Sequence, residues 1–485
     1  MLDSWLSVLS NVHGGADIPR APFLRLVPAL VWALLAVPGL SSAGAEALCP
    51  VGDQAPPSET GKRSPNIVLI AVDTLRADRL GLYGHSRPTS KALDRLAGHA
   101  WVYDHAVSPA PWTTPSFAAI LTGRSPGSLG LTERPIPLPR EVETLAEGLK
   151  NRGYATAGIV SHLFVGRQYG FDRGFDFWDQ RHAGGHTYVS SAAVADLGTA
   201  CLGSLASTGK PFFLFAHFFD PHYDFIAHPE HAFGEPYEGP LKVGNDNFEQ
   251  LRQLARRGML SAADRRHLFD LYDSEIAYTD AHIGRLLREL ERRGLYDDTV
   301  VVMVADHGEM LGERDGRAIG HTQYLYEELI RVPFLLKLPG AEPPHGRVPD
   351  VVGLVDLTPT LLMLAGAPGP APSRSLIPDG GGRVARRQVF SQTRRWRRLD
   401  AIYEGSWKLI VDQSSGRRLL FDLSRDPLER KSLRRREPAR VVRMEKALEA
   451  HLARQRRDAA ALADRAEPAL TPEQLKALKA LGYGG

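Results

Sequence analysis

The sequence predicts an α/β fold, in which a large, mainly parallel sheet is sandwiched between helices and a smaller C-terminal α+β subdomain follows. Short apolar runs rich in branched residues recur along the chain, and such runs are typical of strands buried on both faces. They cover Asn66–Val72, Ala155–Val160, Phe212–Phe219, Thr299–Ala305 and Val332–Lys337. Segments with helical periodicity separate several of these runs, and strands that alternate with helices indicate a parallel sheet.

The helices are predicted from their periodicity and their end signals. Helical patterns cover Ser90–Ala100, Ser116–Leu121 and Val142–Arg152. A longer amphipathic helix begins after Ser261, a favourable N-cap residue, and ends at Arg293, before Gly294.

A stretch rich in Pro, Gly and Ser at Ala367–Arg383 marks a boundary. Short antiparallel strands and two helices are predicted beyond it, at Val389–Phe390, Ala401–Glu404, Trp407–Val411, Leu419–Asp422, Ala439–Arg465 and Thr471–Gly482. We therefore expect a catalytic domain at 65–370 and a C-terminal subdomain at 385–485.

The N-terminal residues 1–45 predict an export signal. Arg20 and Arg25 precede an apolar run at Leu26–Leu40, and Ala43-Gly44-Ala45 offers a cleavage site. The segment is a cleaved signal peptide or, as the alternative, an uncleaved membrane anchor, and 46–64 is a linker. An extracytoplasmic protein, periplasmic or secreted, is expected. Cys49 and Cys201 allow at most one disulfide.

The composition is that of an ordinary globular protein, with 43% hydrophobic and 24% charged residues and a formal net charge of +3. This small charge favours no particular partner, and we expect no nucleic-acid binding. Arginine is dense in Arg383–Arg398 and in Arg430–Arg436. Each of these segments is a solvated face or a site for an anionic polymer.

Residue types that bind metals follow three of the predicted strands. Asp73 follows the first strand, Asp306 and His307 follow the fourth, and the segment His217–His222 with Asp220 ends the third. Ligands of open α/β sheets bind at the carboxyl ends of the strands, so these side chains are expected to converge there. Each residue alone is more often a helix cap or a satisfied polar group.

The segment Pro111–Gly123, PWTTPSFAAILTG, has the frame of the sulfatase active-site signature. Its Pro, Ser, Thr and Gly positions match, Thr113 stands at the reactive Cys or Ser position, and Phe117 replaces the arginine. Further segments resemble the family in the same order, among them NIVLIAVDTLRADRLGLYG, TVVVMVADHGE and GHTQYLYEELIRVPFLL. The chain is identified as a member of the sulfatase family within the alkaline-phosphatase superfamily.

The resemblance implies a metal site and a nucleophile. It places the metal ligands at Asp73, Asp306 and His307, with Thr113 as both nucleophile and ligand. Thr74 stands where many sulfatases have a second aspartate. Two carboxylates, an imidazole and a hydroxyl favour Zn²⁺ or Mn²⁺ as the divalent metal ion, with Ca²⁺ as the alternative.

The resemblance also implies roles for two further histidines. His222 and His321 are expected to contact the anionic ester or to protonate the leaving group. Asp220, His222 and His321 together have the residue types of a second metal site, or His222 simply caps a strand end. Trp112, Tyr83 and Tyr223 line a pocket or pack in the core.

Three functions remain open from the sequence. A threonine hydroxyl can attack phosphorus but cannot be oxidised to formylglycine, which favours hydrolysis of phosphate or phosphonate mono- or diesters. The alternatives are a sulfuric ester hydrolase without formylglycine and a non-catalytic binding protein.

The expected partner is a small-molecule, lipid-headgroup or glycan anionic ester, with membrane contact only if the N-terminal segment is uncleaved. Specificity is assigned to the loops His182–Tyr188 and Ile226–Ala255.

Overall fold

The structure is a computed structural model that describes residues 48–51, 64–183, 190–222, 225–243, 247–367, 375–385 and 387–480, with the backbone alone at 315 and 477–480. All of them belong to one compact unit, Ser42–Gly485. The predicted export signal, most of the predicted linker and Tyr223 lie outside the described residues. No helix in the described ranges is long and apolar enough to cross a membrane.

Fifteen strands are found in the described part of the chain. The nine strands of the large sheet are β1 (Asn66–Val72), β2 (Trp101–Val107), β3 (Ala155–Ile159), β4 (Phe177–Asp179), β5 (Phe212–Phe218), β6 (Thr299–Ala305), β9 (Arg331–Val332), β10 (Phe334–Lys337) and β11 (Gly346–Gly353). A hairpin is formed by β7 (Met310–Gly312) and β8 (Ala318–Gly320), and a second sheet by β12 (Gln388–Thr393), β13 (Leu399–Glu404), β14 (Trp407–Asp412) and β15 (Arg418–Asp422).

The large sheet has the order β11-β2-β10-β6-β1-β5-β3-β4, and β9 pairs with β2. The central strand β1 is parallel to both β5 and β6, and Val72 is paired with Phe218 on one side and Ala305 on the other. β10 is antiparallel to its neighbours. The mainly parallel sheet is therefore confirmed, and its register brings the residues after β1, β5 and β6 to one edge.

Eleven helices are found in the described part of the chain. They are α1 (Lys91–Ala97), α2 (Thr113–Thr122), α3 (Leu145–Lys150), α4 (Ser191–Ser207), α5 (Phe248–Arg256), α6 (Ala262–Arg292), α7 (Glu313–Gly316), α8 (Glu327–Ile330), α9 (Leu357–Leu364), α10 (Pro438–Ala460) and α11 (Pro472–Ala480). Several of them, such as α4 against β5 and β3, pack on the large sheet. Single 3₁₀ turns cover Ala77–Arg79, Gly81–Tyr83, Leu163–Val165, Arg167–Tyr169, Pro229–His231 and Leu354–Asp356.

The long helix α6 begins and ends where the sequence predicts. The Ser261 hydroxyl accepts a hydrogen bond from the Asp264 N–H, and the Asp264 carboxylate accepts one from the Ser261 N–H. This capping box satisfies two N–H groups of the first turn. Gly294 takes a φ of +66° just past the last turn, a conformation that costs glycine little.

Several elements differ from the sequence prediction. The predicted strand Val332–Lys337 is divided into β9 and β10 because Pro333 has no N–H to donate to a neighbour. Strand β11 was not predicted; it contains Pro349, and its pairing with β2 is irregular between Val348 and Val351. A proline is tolerated there because β11 lies at the edge of the sheet.

The C-terminal sheet is packed on both faces. On one face, Ile402, Leu409 and Leu420 pack against apolar side chains of α10. On the other, Ala401, Tyr403 and other strand residues share a core with residues near the large sheet, including Val107 and Met310. The smaller α+β region that the sequence predicts is therefore present, and it lies against the region that carries the predicted site.

A disulfide bond between Cys49 and Cys201 joins the described residues 48–51 to helix α4.

Candidate active site

The candidate site begins at the ends of β1 and β6, because these neighbouring parallel strands finish at the same edge. Asp73 follows β1 and Asp306 follows β6. The Asp306 Oδ1 atom accepts hydrogen bonds from the N–H groups of Thr74 (3.2 Å) and His307 (2.8 Å). One oxygen of Asp306 is thus used to tie the two strand ends together, and the other is left for the site.

Helix α2 supplies the threonine hydroxyl. The helix begins at Thr113, three residues earlier than predicted, and the preceding Trp112 provides no side-chain cap. The first N–H groups of a helix lack intrahelical acceptors and carry a partial positive charge. Thr113 is fully buried at this end of the helix. The start of α2 therefore places a hydroxyl where negative charge is favoured.

The structure brings four of the predicted residues together, and we call Asp73, Thr113, Asp306 and His307 the carboxylate centre. His307 Nε2 lies 3.3 Å from Asp306 Oδ2, 3.7 Å from Asp73 Oδ1 and 3.4 Å from Thr113 Oγ1. Ligand atoms at about 2.1 Å from one tetrahedral metal ion lie about 3.4 Å apart. The spacing of the centre is therefore that of a metal ligand set.

The electrostatics of the centre also require a positive charge. Burial and the neighbouring Asp73 carboxylate raise the pKa of Asp306 well above its ordinary value. Asp73 Oδ1 and Asp306 Oδ2 accept no hydrogen bond from the described residues although both are buried. Two buried carboxylates this close are unfavourable unless a cation or a proton lies between them.

The tautomer of His307 suits metal binding. Its Nδ1 lies 2.9 Å from the Gly308 carbonyl oxygen, so Nδ1–H donates there and Nε2 keeps its lone pair. Burial lowers the pKa of His307 to about 4, which keeps the ring neutral. Two carboxylate oxygens, an imidazole nitrogen and a hydroxyl thus fit a divalent metal ion.

Two histidines hold the outer oxygen of Asp73. His162 Nδ1 lies 3.1 Å from Asp73 Oδ2, and His217 Nε2 lies 3.6 Å from the same atom. The Ser161 N–H points at His217 Nδ1 (3.4 Å), so the His217 proton is on Nε2, facing Asp73. Burial raises the pKa of Asp73, but the close approach of these histidines and the charge interactions with His162 and His222 outweigh it and hold the pKa well below its ordinary value.

The sequence reasoning missed His162. Its signal is the same as for Asp73 and Asp306, because it lies three residues after β3, which pairs in parallel with β5. His217 was noted, but as the end of a predicted strand; it lies inside β5 instead and is fully buried.

His222 and His321 lie beside the carboxylate centre. Their ring centroids are 5.1 Å apart, and the His321 ring is 4.5 Å from that of His307. His321 Nδ1 is 3.1 Å from Glu309 Oε2. Burial and nearby positive charges lower the pKa of His321 to about 3, so its imidazole is neutral at neutral pH in the free protein.

The possible second metal site at Asp220, His222 and His321 stays a prediction, and the surroundings of the Asp220 carboxylate do not favour it. Its carboxylate accepts hydrogen bonds from the Ser190 N–H (3.1 Å), the Ser191 N–H (2.8 Å) and the Ser191 hydroxyl, at the start of α4. These three contacts all meet Oδ2, and Oδ1 accepts one longer hydrogen bond from the Ser190 N–H (3.4 Å), so neither oxygen lacks a donor. Among the described residues, the one group of three His, Cys, Asp or Glu side chains spaced for a metal ion is Asp73, Asp306 and His307.

Phe117 and the predicted pocket residues Tyr83 and Trp112 occupy three different places in the structure. Phe117 is fully buried and its ring meets the edge of His217, with centroids 4.9 Å apart. The Tyr83 hydroxyl accepts a hydrogen bond from the Phe334 N–H (3.0 Å), which makes Tyr83 part of the framework. Trp112 is fully buried next to Thr113. Of the predicted specificity loops, His182, Ala183, 226–243 and 247–255 are described.

Comparisons with known proteins agree with this architecture. The model of the family described as Sulfatase matches residues 65–367, more than half of the chain. An ulvan-active sulfatase from Formosa agariphila is 31% identical over 341 residues, covering 65% of this chain and 63% of that protein. Human arylsulfatase A is 29% identical over 344 residues, covering 64% and 65% of the two chains. The match spans less than two thirds of both relatives.

Solved structures share the fold. A 2-O GAG sulfatase superposes with a TM-score of 0.66 and 21% identity, over 84% of this chain and 95% of that chain. The phosphonate monoester hydrolase of Agrobacterium radiobacter superposes with a TM-score of 0.62 and 18% identity, over 81% and 96%. The family match covers β1, α2 and β6, which carry the carboxylate centre. The chain belongs to the sulfatase family.

Proposed function

We propose that the protein is a metal-dependent hydrolase of anionic esters that uses Thr113 as its nucleophile and acts on phosphate or phosphonate mono- or diesters. The observation that carries this proposal is the position of Thr113 Oγ1, 3.4 Å from the unprotonated His307 Nε2 and beside Asp73 and Asp306. A hydroxyl in this place is a nucleophile held in position rather than a packing side chain.

The residues divide the chemistry among them. Asp73, Asp306, His307 and Thr113 would hold the divalent ion, with Zn²⁺ or Mn²⁺ favoured by the nitrogen ligand. When bound, the ion supplies positive charge that stabilises the ionised hydroxyl and the ester oxygens. His162 and His217 lie 3.1 and 3.6 Å from Asp73 Oδ2 and help to position this carboxylate, as residues around a metal ligand commonly do.

The reaction proceeds by displacement. Thr113 Oγ1 forms a bond to phosphorus while the bond from phosphorus to the alcohol oxygen breaks, and the alcohol leaves with a proton. Water then attacks the phosphothreonine and releases Thr113. His222 and His321 are placed to supply or accept the proton. An anionic ester beside His321 raises the pKa of that imidazole from about 3, because the negative charge favours the protonated ring.

Phosphorus is favoured over sulfur by the residue at position 113. A threonine bears a secondary alcohol, which cannot become the aldehyde of formylglycine, and Phe117 contributes no charge where the sulfatase signature has arginine. The site must therefore work by direct attack of the hydroxyl.

The disulfide between Cys49 and Cys201 supports an extracytoplasmic location, since such bonds persist in oxidising compartments.

The test compares four substrates and three variants. Purified protein of known metal content is assayed with p-nitrophenyl phosphate, bis-p-nitrophenyl phosphate, a p-nitrophenyl phosphonate and p-nitrophenyl sulfate. We expect Thr113→Ala to lower kcat by at least about 10³-fold and Thr113→Ser to retain activity. Thr114→Ala is the matched control, because Thr114 is the next buried threonine of α2 and its hydroxyl donates to Phe164 instead.

The outcomes separate the alternatives. A phosphoryl group found on Thr113 by mass spectrometry after rapid quenching supports the proposal. Sulfate turnover that exceeds every phosphoryl activity identifies a sulfatase without formylglycine. Full activity of Thr113→Ala refutes the nucleophile, and binding of esters without any turnover or metal identifies a binding protein.

A further inference from the structure

The arginine-rich segment Arg383–Arg398 divides into two groups. Four of its arginines form ion pairs with aspartates: Arg383 with Asp350, Arg387 with Asp356 and Arg394 with Asp400, each at 2.6 Å, and Arg397 with Asp412 at 3.8 Å. These pairs fasten the C-terminal region. Arg395 extends in another direction, and its guanidinium carbon lies 5.0 Å from the centre of the Trp112 ring.

The backbone fixes this placement. The Gln392 N–H donates to the Pro109 carbonyl (3.0 Å), and the Thr393 hydroxyl donates to the Thr322 carbonyl (3.1 Å). The Thr322 N–H in turn donates to the Pro111 carbonyl (2.9 Å). The end of β12 is therefore tied both to the segment before Thr113 and to the residue after His321. The turn that follows β12 begins at the rim of the active site.

A row of alternating cations and aromatic rings leads outward from there, and we call Trp112, Arg395, Trp396, Arg252 and Phe248 the arginine wall. Arg395 lies 5.7 Å and Arg252 lies 5.1 Å from the centre of the Trp396 ring. Arg252 also lies 5.9 Å from the centre of Phe248. The row thus joins α2, the β12–β13 turn and α5.

The inner end of α5 is fixed beside the catalytic histidine. Phe248 packs so closely on Gly320 that an added Cβ would lie 3.2 Å from its ring. Gly320 directly precedes His321. The positive charges of Arg395 and Arg252 both act on the His321 ring. Trp396 keeps 47% of its surface exposed, so this part of the row borders solvent.

We infer that the arginine wall is a second anion subsite, which binds a negatively charged substituent on the alcohol portion of the ester. This inference rests on the proposed function and narrows its substrate class to esters whose leaving alcohol is itself anionic. Guanidinium groups bind carboxylate, sulfate or phosphate through charge-assisted hydrogen bonds. Cation–π contacts with Trp112 and Trp396 hold the two guanidinium groups in position, and Arg252 also forms an ion pair with Glu249 at 3.1 Å.

A matched pair of substrates tests the subsite. Aryl phosphates whose leaving group carries a para-carboxylate or a para-carbamoyl group differ in charge but little in size. We expect the protein to prefer the carboxylate ester in kcat/KM by on the order of tenfold, and the preference to fall as salt is added. Arg395→Ala brings the ratio of the two kcat/KM values to about one, and Arg395→Lys restores part of it.

Arg397→Ala is the control from the same turn. Arg397 lies near Tyr324 and Asp412, away from Trp112, so its variant retains the preference. A ratio near one in the unmodified protein overturns the inference, as does an equal loss of preference in Arg397→Ala. The ratio separates substrate binding from structural damage, because damage lowers both rates together.

A binding measurement separates this inference from the proposed function. Calorimetry on Thr113→Ala uses two benzylphosphonic acids, one with a para-carboxylate and one with a para-carbamoyl group. Their P–C bond takes the place of the ester bond and is not hydrolysed, so binding reports the subsite without turnover. Tighter binding of the carboxylate form, lost on adding Arg395→Ala, supports the subsite even if Thr113 proves not to be the nucleophile. Equal binding of the two forms, or binding of neither, overturns it.

Discussion

Two strand ends of the same sheet carry buried aspartates with opposite surroundings. Asp306, after β6, has one oxygen without a hydrogen-bond donor from the described residues and faces a second carboxylate, Asp73. Asp220, close behind β5, accepts hydrogen bonds from two backbone N–H groups and a hydroxyl at the start of α4. The sequence pattern, an aspartate near the end of a buried strand, is the same in both cases.

The difference shows what distinguishes a functional carboxylate from a structural one. A buried carboxylate whose two oxygens both accept hydrogen bonds stabilises the fold. A buried carboxylate oxygen without a donor destabilises the folded protein until something positive binds to it. Burial is nearly equal at the two positions, at 0% exposure for Asp306 and 5% for Asp220, so the donors decide the role.

The largest expected effect comes from neutralising the functional carboxylate. Asp306→Asn keeps the oxygen that accepts from Thr74 and His307, and its amide N–H can donate to His307 Nε2. We expect kcat to fall by about 10³-fold or more and metal content to fall with it, because a ligand is lost. The metal-free variant should be at least as stable as the metal-free parent in thermal unfolding. A clearly lower melting temperature of the metal-free variant would contradict the comparison.

A third aspartate extends the comparison to pH. Asp280, in α6, accepts hydrogen bonds from the N–H groups of Ala92 (2.7 Å) and Leu93 (3.0 Å) at the start of α1. Burial raises the pKa of Asp280 from 3.8 to about 7. The folded protein therefore binds the proton more tightly than the unfolded chain. The stabilisation is complete below pH 3.8 and is lost as the pH rises to about 7, by at most about 4 kcal/mol.

Asp280→Asn removes this titration and keeps the acceptor. We expect the parent to lose free energy of unfolding relative to Asp280→Asn between pH 4 and pH 7, with no further change above that range. Urea unfolding of both proteins across the range measures it. A difference that is constant with pH, or that favours the parent as pH rises, would show that Asp280 is charged throughout.

The smallest expected effect is on the structural aspartate. Asp220→Ala leaves the N–H groups of Ser190 and Ser191 without their acceptor, which should lower the free energy of unfolding by about 1–3 kcal/mol. Metal content should remain that of the parent, since Asp220 is not in the carboxylate centre. Asp220→Asn, which keeps one acceptor, should lose less. Loss of bound metal in Asp220→Ala, at a temperature where the protein is folded, would show instead that Asp220 is a metal ligand.

The sequence was a good guide where the pattern is local or collinear. Strands β1 and β6 have the predicted bounds, and the long helix α6 has the predicted cap. Element ends were less accurate: α2 begins at Thr113 instead of Ser116. Strand β2 and helix α4 were not predicted, because Asp104 and His105 interrupt the apolar pattern of β2 and α4 consists largely of small residues.

The sequence by itself determined the α/β fold, the family and the residues of the carboxylate centre as candidates, since each depends on short segments and their order. Tertiary structure alone decided the partners. It placed His162 and His217 beside Asp73, brought the Asp220 carboxylate into contact with the start of α4, and positioned the Arg395 guanidinium over the Trp112 ring. The residues in these contacts are 29 to 283 positions apart in the sequence. Hydrogen-bond donors and acceptors at such separations meet only when the chain is folded, so no local pattern records them.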